Sequence, residues 1–267
     1  MNSPTDLATS ERILLRSDAQ GVATLTLNRP KQYNALSEEL LTEVQAALEQ
    51  IEKDESVRVV VIAGSGPAFC AGHDLKQMRA NPSKAYYQKL FAQCSKMMLT
   101  LTRLPQPVIA RVHGIATAAG CQLVAQCDLA VASESAKFAV SGINVGLFCS
   151  TPSVPLGRNL LRKPAMEMLL TGEFVDATTA KDYGLVNAVA PADQLDRAVA
   201  DLAQRIIAKS PLAVSIGKRM FYRQLEIGLA AAYDYAAETM ACNMMAADAG
   251  EGIDAFIERR PPQWTGR

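Results

Sequence analysis

Residues Val108–Asp128 read VIARVHGIATAAGCQLVAQCD, and this stretch decides the fold. Val108-Ile109-Ala110-Arg111-Val112 is a β-branched run closed by His113-Gly114. It predicts a short buried strand with a turn at its end. Ala118-Ala119-Gly120 follow, three residues with almost no side chain. From Cys121 to Cys127 the pattern turns helical. A strand that passes through small residues into a helix start leaves backbone N–H groups unpaired, with the positive end of the helix dipole facing outward. Nothing projects to hold a ligand away. Such a corner suits negative charge developing on oxygen. It equally suits plain close packing of a strand on a helix.

Upstream the chain carries a second corner of the same kind. Val57–Ala63 has one charge near its start, Arg58, and is apolar from Val59 onward. It predicts a strand buried on both faces. Gly64–Leu75 (GSGPAFCAGHDL) is glycine-rich, and Asp74-Leu75-Lys76 opens a helix. The glycine spacing fits neither a dinucleotide fingerprint nor a P-loop. Before it, Arg12–Arg16 and Val22–Leu27 alternate around a turn at Asp18–Gly21, which predicts a hairpin. Asn28-Arg29-Pro30 ends the second strand. Ser37, with Glu39, opens an amphipathic helix carrying the apolar positions Leu40, Leu41, Val44, Ala47, Leu48 and Ile51. A helix between such strands implies a right-handed crossover. Asn81-Pro82 breaks the chain, and Ala85–Arg103 is a long helix with Met97, Met98 and Leu101 as core filling.

Downstream, Leu129–Ala132 and Lys137–Val140 predict strands, and Gly142–Ser153 reads as a loop. Helices follow from Gly157, over Met166–Leu170, Ala177–Tyr183 and Gln194–Ile207, with a short strand at Val186–Val189. From Ser210 onward the pattern is helical: Leu212–Gln224, Leu229–Met245 and Gly252–Ile257. The chain therefore reads as an α/β part with two glycine-rich corners and a helical C-terminal part.

Composition narrows the function. The 267 residues carry 27 Lys and Arg against 27 Asp and Glu, for a formal net charge of zero. That gives no electrostatic case for nucleic acid or an anionic membrane. No apolar run is long enough for a membrane span. The N-terminus MNSPTDLATSERILLRSD lacks the features of a signal peptide, and residues up to about Leu7 are expected to be loose. The six cysteines (Cys70, Cys94, Cys121, Cys127, Cys149 and Cys242) form no CxxC pair. They read as reduced apolar residues of a cytoplasmic protein, with no metal site.

Two separate corners that both offer backbone donors have the geometry of an oxyanion hole, and here the resemblance becomes specific. LNRPKQYNALSEEL, FCAGHDL, GIATAAGCQLVAQCDLAVASESAKF, MLLTGEFVDATTAKDYGLVNAV and EGIDAFIERRPPQW resemble successive segments of the crotonase superfamily. That superfamily comprises enoyl-CoA hydratases, enoyl-CoA isomerases and relatives that handle acyl-CoA thioesters. The resemblance implies an α/β fold, a spiral of ββα turns over residues 1–207, with a helical C-terminal trimerisation region over 208–267. It implies a homotrimer or hexamer, to which the apolar stretch Met240–Ala249 would contribute. It implies an acyl-CoA substrate with coenzyme A as part of it, and no covalently bound cofactor.

The resemblance also implies site residues. The N–H groups of His73 and Ala119 would hold the thioester carbonyl as it becomes an enolate. Arg29 and Lys31 would meet the nucleotide end of coenzyme A, and Ala71, Asp74, Leu75 and Lys76 would surround the rest of it. The departures matter as much. Family hydratases carry glutamates at the positions of Gln122 and Gly142, and some members carry an acid at the position of Ser150. Water addition needs one group to activate water and one to deliver a proton. Gln122 can bind water but cannot take its proton, and Gly142 offers nothing. His113 reads as structural. The His73 imidazole is the remaining candidate for moving a proton.

Overall fold

The computed structural model describes residues 12–267. The segment expected to be loose lies outside the described residues. The first two strands, β1 (Leu14–Ala19) and β2 (Val22–Leu27), pair antiparallel with Ala19 opposite Val22. Gln20 and Gly21 between them have φ of 51° and 76°. Two successive positive φ values make the tight hairpin turn whose twist matches that of the strands. The first strand thus starts two residues later and ends three later than the expected Arg12–Arg16, and the turn is the two residues Gln20-Gly21.

The next elements build a spiral. Helix α1 (Glu38–Ile51) is capped by the Ser37 hydroxyl, which accepts from Leu40 N–H. Strand β3 (Val59–Gly64) continues into a short strand, β4 (Ala68–Cys70), then α2 (Leu75–Ala80) and α3 (Lys84–Arg103). The pattern recurs with β5 (Val108–Val112), β6 (Ile115–Thr117) and α4 (Ala119–Gln126). It recurs again with β7 (Leu129–Ser133), β8 (Lys137–Ala139) and α5 (Ser150–Asn159). Then come α6 (Arg162–Thr171), β9 (Val175–Asp176), α7 (Ala177–Asp182), β10 (Ala188–Ala190) and α8 (Leu195–Ile207). The long strands form a six-stranded sheet in the order β1-β2-β3-β5-β7-β10, parallel from β2 onward. The short ones form a second sheet in the order β4-β6-β8-β9. Each turn of the chain therefore lays one strand in each sheet and returns through a helix.

Both faces of the main sheet are covered, as the unbroken apolar run of β3 requires. Val60 and Ile62 face the large core with Leu40, Leu41, Phe69, Met97 and Phe138. Val59 and Val61 face the other side, against Leu195 and Val199 of α8. Phe69 and Phe138 are fully buried, each worth about 1.5–3 kcal/mol of burial.

Two sequence expectations need correction. Gly142–Ser153 is not one loop: Ser141–Val145 forms a 3-10 turn, and α5 starts at Ser150. Pro152 and Pro155 hide this helix from a sequence reading. Pro152 sits in the first turn, where its missing N–H costs nothing, while Pro155 removes one interior bond. The corner segments also hold the short strands β4 and β6, which the sequence reading leaves as loop.

The C-terminal part comprises α9 (Pro211–Gln224), α10 (Leu229–Met244) and α11 (Ala247–Glu258). A polar latch docks α9 on the spiral. Lys218 Nζ lies 2.7 Å from Asp128, and Tyr222 donates to the same carboxylate at 2.8 Å. Along α10, Ala232 is buried while Leu229, Tyr233, Met240 and Met244 are exposed. Among the described residues, no helix is long and apolar enough to cross a membrane.

Candidate active site

The first corner follows β3. Leu36 and His73 form a parallel bridge. Leu36 N–H donates to Gly72 O at 2.7 Å, and Leu36 O accepts from Asp74 N–H at 3.2 Å. Because the bonds go to the residues on either side of His73, its own N–H and C=O point the other way. Three side chains hold this backbone. Asn34, fully buried at a φ of 55°, accepts from Arg29 N–H and donates to Ser65 O and Ala68 O, all at 2.8 Å. Arg29 pairs with Asp74 at 3.0 Å and also donates to Ala35 O. Asp74 caps α2 by accepting from the N–H groups of Lys76 and Gln77. Burial works against the Asp74 charge, but the bonds from Arg29 and the cap amides outweigh it and hold the carboxyl below its usual range.

The second corner follows β5. Ala118 N–H donates to Ala139 O at 3.0 Å. Its φ of 50° and ψ of −120° strain a residue with a Cβ by about 1–3 kcal/mol. That turn starts α4 at Ala119. The two corners abut. A Cβ on Gly120 would stand 2.0 Å from Cys70 O, and one on Gly72 would stand 3.1 Å from Ala119 N. Glycine at both places is what lets the backbones meet. Among the described residues, neither the His73 nor the Ala119 N–H has a hydrogen-bond acceptor. A pair of free amides at adjoining corners, one of them a helix start, is a site for an oxyanion.

Apart from the Arg29–Asp74 pair, the side chains of His73, Gln122, Cys149 and Ser150 offer no carboxylate. The His73 ring packs edge-on to Phe91 of α3, with centroids 5.5 Å apart. Its two nitrogens are buried with no well-aligned hydrogen bond, and burial pushes the imidazole down to about 4, against a weaker pull upward from the Leu36 backbone. Gln122 is 4% exposed, and its Oε1 is likewise without a partner. At Gly142 an added Cβ would meet Cys149 Sγ at 2.7 Å and Leu147 O at 2.8 Å. The thiol thus fills the space a side chain there would need. Burial raises the Cys149 thiol above its usual range, against a hydrogen bond from Gly142. Ser150 is the exposed first residue of α5 and donates to Phe148 O at 3.4 Å.

The expected cations and loop residues separate. Arg29 is committed to Asp74. Lys31, in the 3-10 turn Pro30–Gln32, and Lys76, on α2, are exposed. Ala71 N–H donates to Tyr33 O at 2.9 Å, and Leu75 is exposed beside the corner. His113 Nε2 bonds Gly66 O at 2.9 Å, which fits its structural reading. Asp128 belongs to the latch at the start of β5, the end of the strand away from the corner. Asn34 escapes the sequence reading altogether; its one signal is an asparagine next to a strand-ending proline segment, where left-handed backbone is tolerated. A cavity of about 400 Å³ lies elsewhere, between α8 and the outer face of β2 and β3, lined by Val22, Thr24, Val61 and Val199 among others. It marks where α8 leaves the sheet uncovered.

The sequence pattern of the enoyl-CoA hydratase/isomerase family matches residues 17–267. The chain belongs to this family. Within the enoyl-CoA hydratase/isomerase family it is 43% identical over 265 residues to enoyl-CoA hydratase domain-containing protein 3, mitochondrial, of Xenopus laevis, covering 99% of this chain and 90% of that one. The crystal structure of the human domain-containing protein 3 superposes with a TM-score of 0.92 at 42% identity, over 95% of this chain and all of that one (100%). An enoyl-CoA hydratase structure from Mycobacterium smegmatis gives 0.94 at 60% identity, over 95% and 99% of the two chains. The crotonase-like spiral expected from the sequence is the fold these family members share.

Proposed function

We propose that this family member acts on an acyl-CoA thioester whose carbonyl oxygen accepts hydrogen bonds from the N–H groups of His73 and Ala119. The observation that carries the reading is the pair of unpartnered amides on abutting corners. Drawing an electron pair onto the thioester oxygen acidifies the α-carbon, and each donor in such a pair is worth about 3 kcal/mol of barrier. Coenzyme A enters as part of the substrate, with exposed Lys31 and Lys76 as the free cations for its phosphates and Arg29 holding the corner through Asp74.

The reaction is enolate chemistry of the lyase or isomerase type with weak hydratase activity. Gln122 orients a water but cannot deprotonate it. No carboxylate stands at residue 142, where Cys149 fills the space, and neutral His73 is a weak base at a pKa near 4. Losing one acid–base group costs about 10²–10⁴-fold. Following crotonyl-CoA absorbance with purified protein tests this. A turnover well below about one per second fits; one at the median for enzymes, about ten per second, does not.

The same neutral lining favours a second reading, a non-catalytic acyl-CoA-binding or assembly subunit. It predicts ester binding without exchange of the α-protons into deuterated water, whereas the enzyme reading predicts exchange.

In this proposal the spiral unit runs up to residue 207, described from residue 12, and 208–267 is the self-association unit. The exposed apolar side chains of α10, with Phe256 and Ile257 of α11, suit burial against further copies in a homotrimer or hexamer. The cysteines are free and fit a reducing, cytoplasmic setting, although the vertebrate relatives are named as mitochondrial. Cell fractionation decides between the two.

A further inference from the structure

The ion pair that docks α9 also gathers the elements behind the two corners. Asp128 stands one residue past the C-cap of α4. Its carboxylate accepts at 2.6 Å from the N–H of Val108, the first residue of β5. One side chain thus ties together the two ends of the stretch 108–128, which contains the second corner. Lys218 Nζ lies 2.7 Å from the same carboxylate and donates to Leu101 O at 2.7 Å and to Gln106 O at 2.9 Å. An ammonium has three N–H donors, and here all three are used. Leu101 is in the last turn of α3, so the positive charge also meets the negative end of that helix.

These contacts lie at the far ends of the helices that carry or support the amide pair. Helix α4 has eight residues, a length of about 12 Å. Ala119 is its first residue, and Asp128 fixes the chain just beyond its last. Asn159 pins the same end from α5 by donating to Ala125 O at 2.9 Å. Helix α3 carries Phe91, which packs edge-on to the His73 ring. The helices behind both corners therefore meet at one cluster of Lys218, Asp128 and Tyr222.

Stability alone gives a poor reason for such a cluster. The Lys218 and Asp128 side chains are 6% and 14% exposed. Charges withdrawn from water lose hydration that their mutual attraction does little more than restore, and apolar residues of similar shape often serve stability as well. What a buried ion pair can add is one fixed arrangement of the elements it joins.

We infer that Lys218 is a positioning residue for the His73–Ala119 amide pair, acting through Asp128 on α4 and through Leu101 on α3. This rests on the reading that an acyl thioester binds at that pair. The C-terminal part then does more than present an apolar face: its first helix sets the spacing of the two donors.

Infrared spectroscopy of butyryl-CoA labelled with ¹³C at the thioester carbonyl, bound to the full chain, tests this. Hydrogen bonds from both amides lower the carbonyl stretch relative to the free ester. Lys218→Met removes the charge and keeps an unbranched apolar stem. In this variant the stretch is expected to return at least halfway to its free value, with ester affinity falling about tenfold, within the usual range of coupling between separated sites. Tyr222→Phe removes one bond to Asp128 and keeps the ring; a smaller change in the same direction is expected. A purely structural role lowers the melting temperature of the variants and leaves the stretch of the bound ester where it is in the unsubstituted protein. That result in folded Lys218→Met overturns the inference. Should Lys218→Met fail to fold, an unchanged stretch in Tyr222→Phe overturns it instead. An unsubstituted protein that binds no ester, or binds it with the stretch of the free ester, overturns the underlying reading.

Discussion

Gly72 lies directly against Ala119: a Cβ at residue 72 would come within 3.1 Å of the Ala119 nitrogen and 2.9 Å of the Ala118 Cβ. The two corners that carry the free amides are thus in contact through a residue that must lack a side chain. Gly72 also has a φ of 92°, a backbone setting costly for any residue with a Cβ. Gly72→Ala is expected to lower stability by about 1–3 kcal/mol and to weaken acyl-CoA binding at least tenfold, because the His73 N–H shifts away from Ala119. Thermal melts and calorimetry on the same preparation check both effects. Unchanged affinity in a destabilised protein would separate the glycine from the site.

Ala118 makes the complementary case. It holds the strained turn before α4 with a φ of 50°. Ala118→Gly removes the strain and leaves the Ala119 N–H in place. A stabilisation of about 1 kcal/mol is expected, as the relief outweighs the added freedom of glycine in the unfolded chain. A raised melting temperature with unaltered ester affinity is the expected pair of results.

Much of this arrangement was legible in the sequence, and the parts that were not have physical causes. The long strands announce themselves: Val59–Gly64 is apolar throughout because both faces of the sheet are covered. The two corners are legible because only small residues allow backbones to meet, as Gly120 against Cys70 shows. The short strands β4, β6 and β9 have two or three residues, too few for any period to emerge. Helix α5 is masked by two prolines. Asn34 works by replacing missing backbone pairing across the corner, a tertiary role that leaves no local pattern. The sequence reading gave His73 the task of moving protons; the burial of its ring lowers its basicity and moves it toward neutral hydrogen bonding.

The same burial makes His73 a source of pH dependence. Its folded pKa, about 4, lies below the ordinary 6.5. Between these values the unfolded chain binds a proton that the folded chain does not, so stability rises with pH through this window. Full stability is present above about pH 6.5 and is lost progressively as pH falls toward 4, by up to about 3 kcal/mol. Urea melts across pH 4–7 should trace this slope, and His73→Phe should flatten it. An identical slope in the variant would assign the dependence to other groups.

Restoring a carboxylate at residue 142 should fail. An added Cβ overlaps Cys149 Sγ and, at 2.8 Å, the backbone oxygen of Leu147. Trimming the thiol in Cys149→Gly removes the first obstacle and leaves the second. Gly142→Glu is therefore expected to destabilise by about 1–3 kcal/mol and to give no gain in crotonyl-CoA hydration, with or without Cys149→Gly. A gain of a hundredfold or more in the single variant would mean that the 141–149 segment rearranges easily.

A crystal structure of the protein with butyryl-CoA bound tests the central claim most directly. The thioester oxygen is expected at about 2.7–3.1 Å from both the His73 and the Ala119 nitrogens, with the acyl chain passing Gln122. A thioester lying more than about 4 Å from either nitrogen, or an ester seated in the cavity beneath α8, would contradict it.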